Sequence, residues 1–592
     1  MIVPPTTLGA GRSVLDVIAQ TAHPIATVAV APPPPLPIVT DHALLVVLGK
    51  FAQHLGLVGL LEAVPIEQKT RDHRPQTKLI QFLIGILAGL DYLQDFNLGP
   101  HPLCADHAVI ASWGQATFAH YSGVSRTLAA ADASSVQAII AVLQQVSRPF
   151  VEREVVSLLR RGQPLVVDID LTGRSVSPTS TDYPNAAFGW MDDALCNGYQ
   201  AAISSLSGGP TGRVLLSCQR YGGRAKSAEC LRAAVEAVEQ TLGQRPRRRT
   251  ELVQSQLTTL HTKLAATEQK LAALSEQRHE WEWQHTLFFQ GSTPPSERAK
   301  RQQARRERQI VQALGKEASL AERIAQIQAQ QADVQTTLAE LEADNASGSS
   351  LVPIMLRLDA GFATAANLAY LIERGYTVLS KVHSGHTTRR LMCGIGEQAV
   401  WERVGANAEA YALGETRIGE GRYALEALQV RYQLPDQLRH TTLIYYGDTP
   451  PPPAASWFGQ YNGRQVIEAG IKENKGVFSM RRPLVRSEFG MLIQEQFALF
   501  AANFVRWAAE WARTRIQDLP ATLAGALTAV KTLVRVVAHS RAELVETALG
   551  CALVFDSHSP FAGAVLRMSG QVVYQTILPL FTADLPTAQQ VT

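Results

Sequence analysis

The feature that most constrains the fold is a pair of heptad repeats in the middle of the chain. Apolar or small side chains recur there at alternating steps of four and three residues, which is the spacing of a coiled-coil seam. Between the repeats lies GSTPP at residues 291–295, which ends a helix. The pattern therefore predicts an antiparallel arm over residues 246–350 with its tip near residue 292. The seam positions are Val253, Leu257, Leu260, Leu264, Thr267, Leu271 and Leu274, then Leu320, Ile324, Ile327, Gln331, Val334, Leu338 and Leu341.

Two groups of cations lie at the two ends of this arm. The group near the tip contains Arg298, Lys300, Arg301, Arg305, Arg306 and Arg308, and the group at the base contains Arg245, Arg247, Arg248 and Arg249. Charge on a coiled coil commonly serves solvation alone, whereas clusters of a single sign favour contact with phosphate. Both interpretations stay open from the sequence.

A second pattern occupies residues 461–475, YNGRQVIEAGIKENK. Its polar residues recur at the spacing that places them on one face of a helix, and its glycines predict close packing against a sheet on the opposite side. One carboxylate among cations and a phenol suits a site that holds a divalent metal and a phosphate backbone. A solvated charged face is the commoner meaning of such a stripe. The stripe consists of Tyr461, Arg464, Glu468, Lys472 and Lys475.

Two apolar runs each deliver an aspartate. Residues 165–172, LVVDIDLT, predict a buried strand whose period of two places Asp168 and Asp170 on the same face. Residues 353–361, PIMLRLDAG, predict a second strand that brings Asp359 to a point just before the turn at Gly361.

Together these segments resemble the insertion-sequence transposases of the DDE type. The resemblance rests on the DxT of residues 170–172, on RLDAGFATAANLAYLIERGY at residues 357–376, and on a Y-(2)-R-(3)-E-(6)-K signature. It covers about residues 160–515, interrupted by the arm. It implies an α/β catalytic core of the ribonuclease-H-like fold. The signature residues are Tyr461, Arg464, Glu468 and Lys475.

The resemblance also implies roles for these residues. Asp170, Asp359 and Glu468 would be catalytic and would hold two Mg²⁺ ions, with Mn²⁺ able to substitute. Arg464, Lys475 and Tyr461 would contact DNA phosphates, and Arg298, Arg301, Arg305 and Arg306 are further candidates for DNA binding. A salt bridge to Glu468 or Glu473 is the alternative for Arg464 and Lys475. Asp168 is the alternative first ligand, but Thr172 favours Asp170 and leaves Asp168 as a hydrogen-bonded strand residue.

The order of patterns along the chain predicts the domains. The fold class expected is an α/β ribonuclease-H-like core with an all-helical N-terminal domain, an inserted antiparallel coiled-coil arm, a β-rich insertion and a C-terminal region that is helical to about residue 549. The predicted boundaries are a Pro-rich disordered lead at 1–39, a helical DNA-binding domain at 40–161, core segments at 162–245, 351–382 and 457–515, the arm at 246–350, the β-rich insertion at 383–456, and the C-terminal region at 516–592.

Composition excludes several classes. The chain is 46% hydrophobic and 18% charged, as expected of a globular protein of several domains, and its net charge of +3 alone does not indicate a nucleic-acid partner. The six cysteines show no zinc spacing or disulfide framework. No apolar run is long enough to span a bilayer, and no secretion signal is evident, so a cytoplasmic location is expected, on the nucleoid when DNA is bound. No GxSxG, P-loop or GxGxxG stands in a suitable context, so no nucleotide cofactor is expected.

The function expected from this resemblance is DNA transposition. The chain would bind the terminal inverted repeats of its element as a homodimer on paired ends, cleave double-stranded DNA and join the ends to target DNA. The alternatives are a catalytically inactive DNA-binding architectural protein and a metal-dependent nuclease without strand transfer.

Overall fold

The computed structural model describes residues 38–191, 193–289, 296–348, 350–513, 529–547, 550–559, 561 and 565–568. The predicted tip of the arm near residue 292 lies outside these ranges, as do residues 1–37 of the Pro-rich lead. The chain divides into two compact units, one of residues 1–54, 100–117 and 510–592 and the other of residues 55–99 and 118–509. Residues 40–161, predicted as one helical domain, contribute to both units.

The described helices are α1 (Ala43–His54), α2 (Leu57–Glu62), α3 (Pro75–Leu87), α4 (Asp95–Leu98), α5 (His107–Ser112), α6 (Tyr121–Ala130), α7 (Ala133–Arg160), α8 (Ser227–Leu242), α9 (Thr250–Phe289), α10 (Glu297–Ala346), α11 (Ala365–Glu373), α12 (Gly385–Cys393), α13 (Ala454–Asn462), α14 (Gln465–Val477), α15 (Glu488–Arg513) and α16 (Val530–Arg535). The described strands are β1 (Ile38–Thr40), β2 (Leu165–Ser175), β3 (Ala187–Met191), β4 (Ala194–Ser207), β5 (Arg213–Gly222), β6 (Gln244–Arg245), β7 (Ser350–Leu351), β8 (Ile354–Leu358), β9 (Thr377–Lys381), β10 (Glu402–Arg403), β11 (Ala408–Arg417), β12 (Ala424–Gln433), β13 (Leu438–Tyr446), β14 (Ala542–Thr547), β15 (Gly550–Phe555) and β16 (Val565–Met568).

A ten-stranded mixed sheet forms the centre of the larger unit. Its order is β10-β11-β12-β13-β9-β8-β2-β4-β3, and β5 also pairs with β4. β2, β4 and β5 are antiparallel neighbours, whereas β8 is parallel to β2 and β9 is parallel to β8. This confirms a mixed α/β fold with additional helical regions.

Helices cover both faces of this sheet. Neighbouring residues of a strand point to opposite faces. On β5, Gln219 donates from its side chain to the Ala233 carbonyl of α8, while Arg220 donates to the Glu488 carbonyl of α15. In β2 the same alternation buries Leu165, Val167 and Ile169 on one face and turns the aspartates to the other.

The β-rich segment predicted at 383–456 extends the central sheet. Its strands β10 to β13 join the core where β13 pairs antiparallel with β9, through Leu443 opposite Lys381 and Tyr446 opposite Val378. The segment begins with helix α12, which the strand pattern did not predict. Ser384 caps this helix by accepting a hydrogen bond from the Thr387 N–H at 3.2 Å.

The arm is formed by α9 and α10, and its antiparallel direction is confirmed by cross-helix pairs. Arg278 pairs with Glu317 at 2.9 Å near the middle, and Gln254 reaches Glu342 at 3.4 Å near the base. Every predicted seam position is buried or half-buried, while most of the positions between them are exposed. The helices therefore bury their seams against each other, as the heptads predicted.

The smaller unit contains the sheet β1-β14-β15-β16. Ile38 pairs with Leu544, so residues 38 and 39 belong to a strand rather than to the disordered lead. The prediction that the chain is helical to about residue 549 is wrong over residues 542–547. Ala542 and Leu544 are buried with half-buried residues between and after them, which is the pattern of a strand.

Candidate active site

Two of the three predicted ligands lie side by side because of strand register. β2 and β8 run parallel, and Ile169 is the register partner of Leu358. Asp170 and Asp359 follow this pair directly, on neighbouring strands whose separation is about 5 Å. One step earlier in the register, Asp168 and Arg357 meet on the same face. Asp170 and Asp359 therefore share that face at the carboxyl end of β8.

Helix α14 brings Glu468 to the same place by packing closely on the sheet. A Cβ atom at Gly470 would lie 2.6 Å from Cζ of Arg213 on β5, and one at Gly463 would overlap the guanidinium of Arg357 on β8. The backbone at both glycines therefore lies close to arginine side chains of the sheet, in line with the close packing that the sequence predicted. Glu468 lies in the first turn of the helix.

Arg464 joins the first and third carboxylates. Its Nη2 donates to Oδ1 of Asp170 at 2.9 Å, and its Nη1 donates to Oε1 of Glu468 at 2.8 Å. The side chain is 7% exposed. The salt-bridge alternative stated for Arg464 is therefore what the structure shows, with Asp170 as an additional partner.

The carboxylates lie close enough together to shift the pKa values of the site residues. The pKa of Asp170 is raised from 3.8 to about 6, chiefly by burial; the charge of Arg464 opposes this rise, and the charges of Asp359 and Glu468 contribute to it. The same three carboxylates, together with Tyr461, raise the pKa of Arg464 against the effect of burial. Such an excess of negative charge is what a divalent cation would neutralise.

The three carboxylates are chemically suitable ligands for magnesium. Hard carboxylate oxygens from two strands and a helix are the ligands that this ion prefers. Among the described residues, no three His, Cys, Asp or Glu side chains converge closely enough to ligate one ion in this conformation. The Arg464 guanidinium lies between the oxygens of Asp170 and Glu468 instead.

Asp168 is held as a structural residue. It is 0% exposed, and both of its oxygens accept from Arg357 at 2.7 Å, while Ser207 donates to Oδ2 at 2.9 Å. Arg357 also donates to the Gln460 carbonyl at 2.9 Å, at the end of α13. This cluster ties β2 and β8 to the segment that carries Arg464. Because both carboxylate oxygens of Asp168 already accept hydrogen bonds, neither is available to bind a metal ion.

Arg357 is a site residue that the sequence reasoning missed. It was quoted within the motif at residues 357–376 but received no role. Its position was a usable signal, because an arginine in the middle of an otherwise apolar strand requires a buried anion. Asp168, one strand away, is that anion.

The single helix expected over residues 461–475 is divided. α13 ends at Asn462 and α14 begins at Gln465, with bonds of the tighter three-residue type from Arg464 N–H to the Tyr461 carbonyl and from Ile467 N–H to the Arg464 carbonyl. Tyr461 consequently lies 4% exposed, with Nζ of Lys381 5.1 Å from the centre of its ring. The phosphate contact predicted for Tyr461 is not available in this conformation.

The other residues predicted to contact DNA differ in how exposed their side chains are. Lys475 is half-buried in the last turn of α14. Arg298, Arg301 and Arg305 are exposed on α10, and Arg306 is half-buried and points to the Gln284 carbonyl at 3.5 Å.

No protein-family profile matches the chain, and no curated protein is significantly similar to it. Among the described residues, no single helix is long and apolar enough to cross a membrane. The pair Tyr121–Ala130 and Ala133–Arg160 meets that criterion only when taken together, with a bend of 106° between them.

Proposed function

We propose that the chain is a DDE-type transposase with a ribonuclease-H-like core. The observation that carries the proposal is the register that places Asp170 beside Asp359, with Glu468 brought across them by α14. The strand order supports it. Apart from the short strand β3, the antiparallel strands β2, β4 and β5 are followed by the helix α8 and, after the arm, by the parallel strand β8, which Asp359 follows directly; this is the order that a ribonuclease-H-like core requires.

Asp170, Asp359 and Glu468 would hold the magnesium ions. Bound there, the ions would activate the attacking oxygen and stabilise the charge that develops on the phosphate and the leaving oxygen. Arg464 neutralises two of the carboxylates through its paired bonds. The Asp168–Arg357 pair positions β2, β8 and the end of α13, so that these groups stay aligned.

The partner that this chemistry requires is double-stranded DNA, at the element's ends and at the target. Exposed arginines on the arm supply cations that could contact phosphate away from the carboxylates. Because transposition brings two ends together, the chain is expected to act as a homodimer on paired ends.

The test is cleavage of the DNA that flanks the gene, in magnesium, by the full chain and by Asp170→Asn, Asp359→Asn and Glu468→Gln. Each substitution removes a ligand charge and should abolish cleavage, while binding persists because affinity comes mainly from phosphate contacts. Glu268→Gln, an exposed arm residue, is the matched control and should cleave normally.

The products distinguish the alternatives. Cleavage with joining to a second DNA supports transposition, and cleavage without joining indicates a nuclease. Binding without cleavage by the unaltered chain indicates an architectural protein. Normal cleavage by any one of the three variants would remove that residue from the site.

A further inference from the structure

The hairpin of β3 and β4 carries an exposed apolar surface. Trp190 and Leu195 are register partners across the two strands and remain 70% and 67% exposed. Phe188 lies on the same side of β3 as Trp190, two residues earlier, and is 49% exposed. These three residues are called the apolar tip. Large apolar side chains grouped in solvent mark a binding surface more often than isolated ones do.

The hairpin that carries the apolar tip packs on β2 over the face of the sheet opposite Asp170, because Asp170 and Gly173 point to opposite faces of the strand. Met191 packs on β2. A Cβ atom added at Gly173 would lie 2.5 Å from the Cβ atom of Met191. Nε2 of Gln200 donates to the Trp190 carbonyl at 3.0 Å and anchors the hairpin from β4. Gly173 is three residues beyond Asp170, a distance of about 10 Å along a strand.

A cationic loop, formed by residues 223–226, follows β5 and leads into α8. At one end of the loop, a Cβ atom at Gly189 would overlap the Gly223 carbonyl, so the loop backbone lies against the face of β3 opposite the side chains of Phe188 and Trp190. At the other end, a Cβ atom at Gly361, two residues after Asp359, would lie 2.8 Å from Oγ of Ser227. The loop therefore runs from the inner face of β3 to the turn that follows β8.

Two of the loop's side chains are exposed cations, Arg224 and Lys226. Neither side chain forms an ion pair with a carboxylate in the described part of the chain. The turn of the hairpin instead carries Asp193, which is exposed with a φ of 63°. Positive charge is thus available where the loop meets the hairpin, and not at the turn.

We propose that the apolar tip and the cationic loop together bind the single-stranded DNA that cleavage exposes. Bases would stack on Trp190 and its neighbours, and Arg224 and Lys226 would contact the phosphates of the same strand. Aromatic platforms beside cations suit unpaired strands, because every base has a face that can stack whatever its sequence. The inference rests on the proposed function and adds a subsite for the strand that cleavage exposes.

The test compares two probes in EDTA, a blunt duplex and the same duplex with a single-stranded oligo-dT tail, bound to the full chain. The unaltered chain should prefer the tailed probe. Trp190→Ala should reduce that preference by about tenfold to a hundredfold, the range for loss of one stacked base. Trp190→Phe should keep most of it, because a ring remains. Trp283→Ala removes a tryptophan that is 64% exposed on the arm and should change nothing.

The cations give a second readout. Arg224→Ala and Lys226→Ala should each lower the log–log salt slope for the tailed probe by about 0.7, the value for one contact with a single strand. Because all the altered side chains are exposed, thermal unfolding should be unchanged, and Leu195→Ala provides an independent change at the apolar tip.

Retention of the full preference for the tailed probe by both Trp190→Ala and Leu195→Ala would overturn the inference, even if DNA cleavage by the unaltered chain supports the proposed function. A DNA-free dimer that Trp190→Ala converts to a monomer with the preference intact would also overturn it, and would assign the apolar tip to contact between copies. Failure of the unaltered chain to bind either probe would overturn the proposed function as well.

Discussion

The arginines at the base of the arm and those near its tip look alike in the sequence but differ in their surroundings. Arg248, at the base, is 1% exposed and pairs with Glu239 at 2.7 Å and Asp344 at 2.8 Å. Arg301, near the tip, is exposed and pairs with no carboxylate within the described ranges. Phosphate contact, left open for the basal cluster, is therefore not available to Arg248. A run of cationic residues in a sequence therefore indicates neither a structural role nor phosphate binding until the burial of each side chain is known.

The two aspartates of β2 repeat this contrast with the opposite charge. Both carboxylate oxygens of Asp168 accept hydrogen bonds, from Arg357 and Ser207. Asp170, in contrast, shares the guanidinium of Arg464 with Glu468, and the charges of Asp359 and Glu468 act on it. In each pair, the residue with a complete set of partners holds the fold together. The residue without one is the candidate for binding a ligand.

The largest expected effect is at the base of the arm. Arg248→Met should lower the free energy of unfolding by about 3 kcal/mol, because it leaves the partly buried Glu239 without its cation and removes one of the arginines that pair with Asp344. Urea denaturation measures this, with Arg301→Met as the matched control that should change little. An equal decrease in the free energy of unfolding in both variants would contradict the difference between the two clusters.

A smaller effect is expected at Asp170 and depends on pH. Its pKa in the folded protein is raised to about 6 from 3.8, so the folded state binds more protons than the unfolded state between these values. Stability of the metal-free protein should therefore fall as pH rises through this window. Asp170→Asn should be about 2 kcal/mol more stable than the unaltered chain at pH 7, with the difference gone below about pH 4. Chemical denaturation in EDTA at both pH values checks this, and a variant less stable at pH 7 would contradict it.

The smallest effect on stability is expected near the tip of the arm. Replacing Arg298, Arg301 and Arg305 together by Ala should change the free energy of unfolding by less than about 0.5 kcal/mol per site. If these side chains contact phosphate, the log–log salt slope for duplex DNA should fall by about 0.9 for each lost contact. Lys263→Ala with Lys270→Ala, both exposed on α9, is the control. An unchanged slope would assign the tip cluster to solvation alone.

The sequence predicted those features that depend on local periodicity. The heptads located the arm and its seam, and the alternation in LVVDIDLT located β2 and the shared face of Asp168 and Asp170. It could not predict features that depend on distant partners. The burial of Arg248 requires Glu239, Asp344 and the end of α11 to meet, and the break of the helix near Gly463 lies where that residue approaches Arg357 on β8. The strand at 542–547 was missed because its pairing partner, β1, lies at the opposite end of the chain.

The most direct test of the central claim is to count bound metal ions by the electron paramagnetic resonance of Mn²⁺, which can stand in for Mg²⁺. The titration uses the full chain in the presence of duplex DNA. If Asp170, Asp359 and Glu468 form one site, the unaltered chain and Glu268→Gln should bind two ions per chain, while Asp170→Asn, Asp359→Asn and Glu468→Gln should each bind them far more weakly. Equal Mn²⁺ binding by all five proteins would contradict a metal site at these three carboxylates.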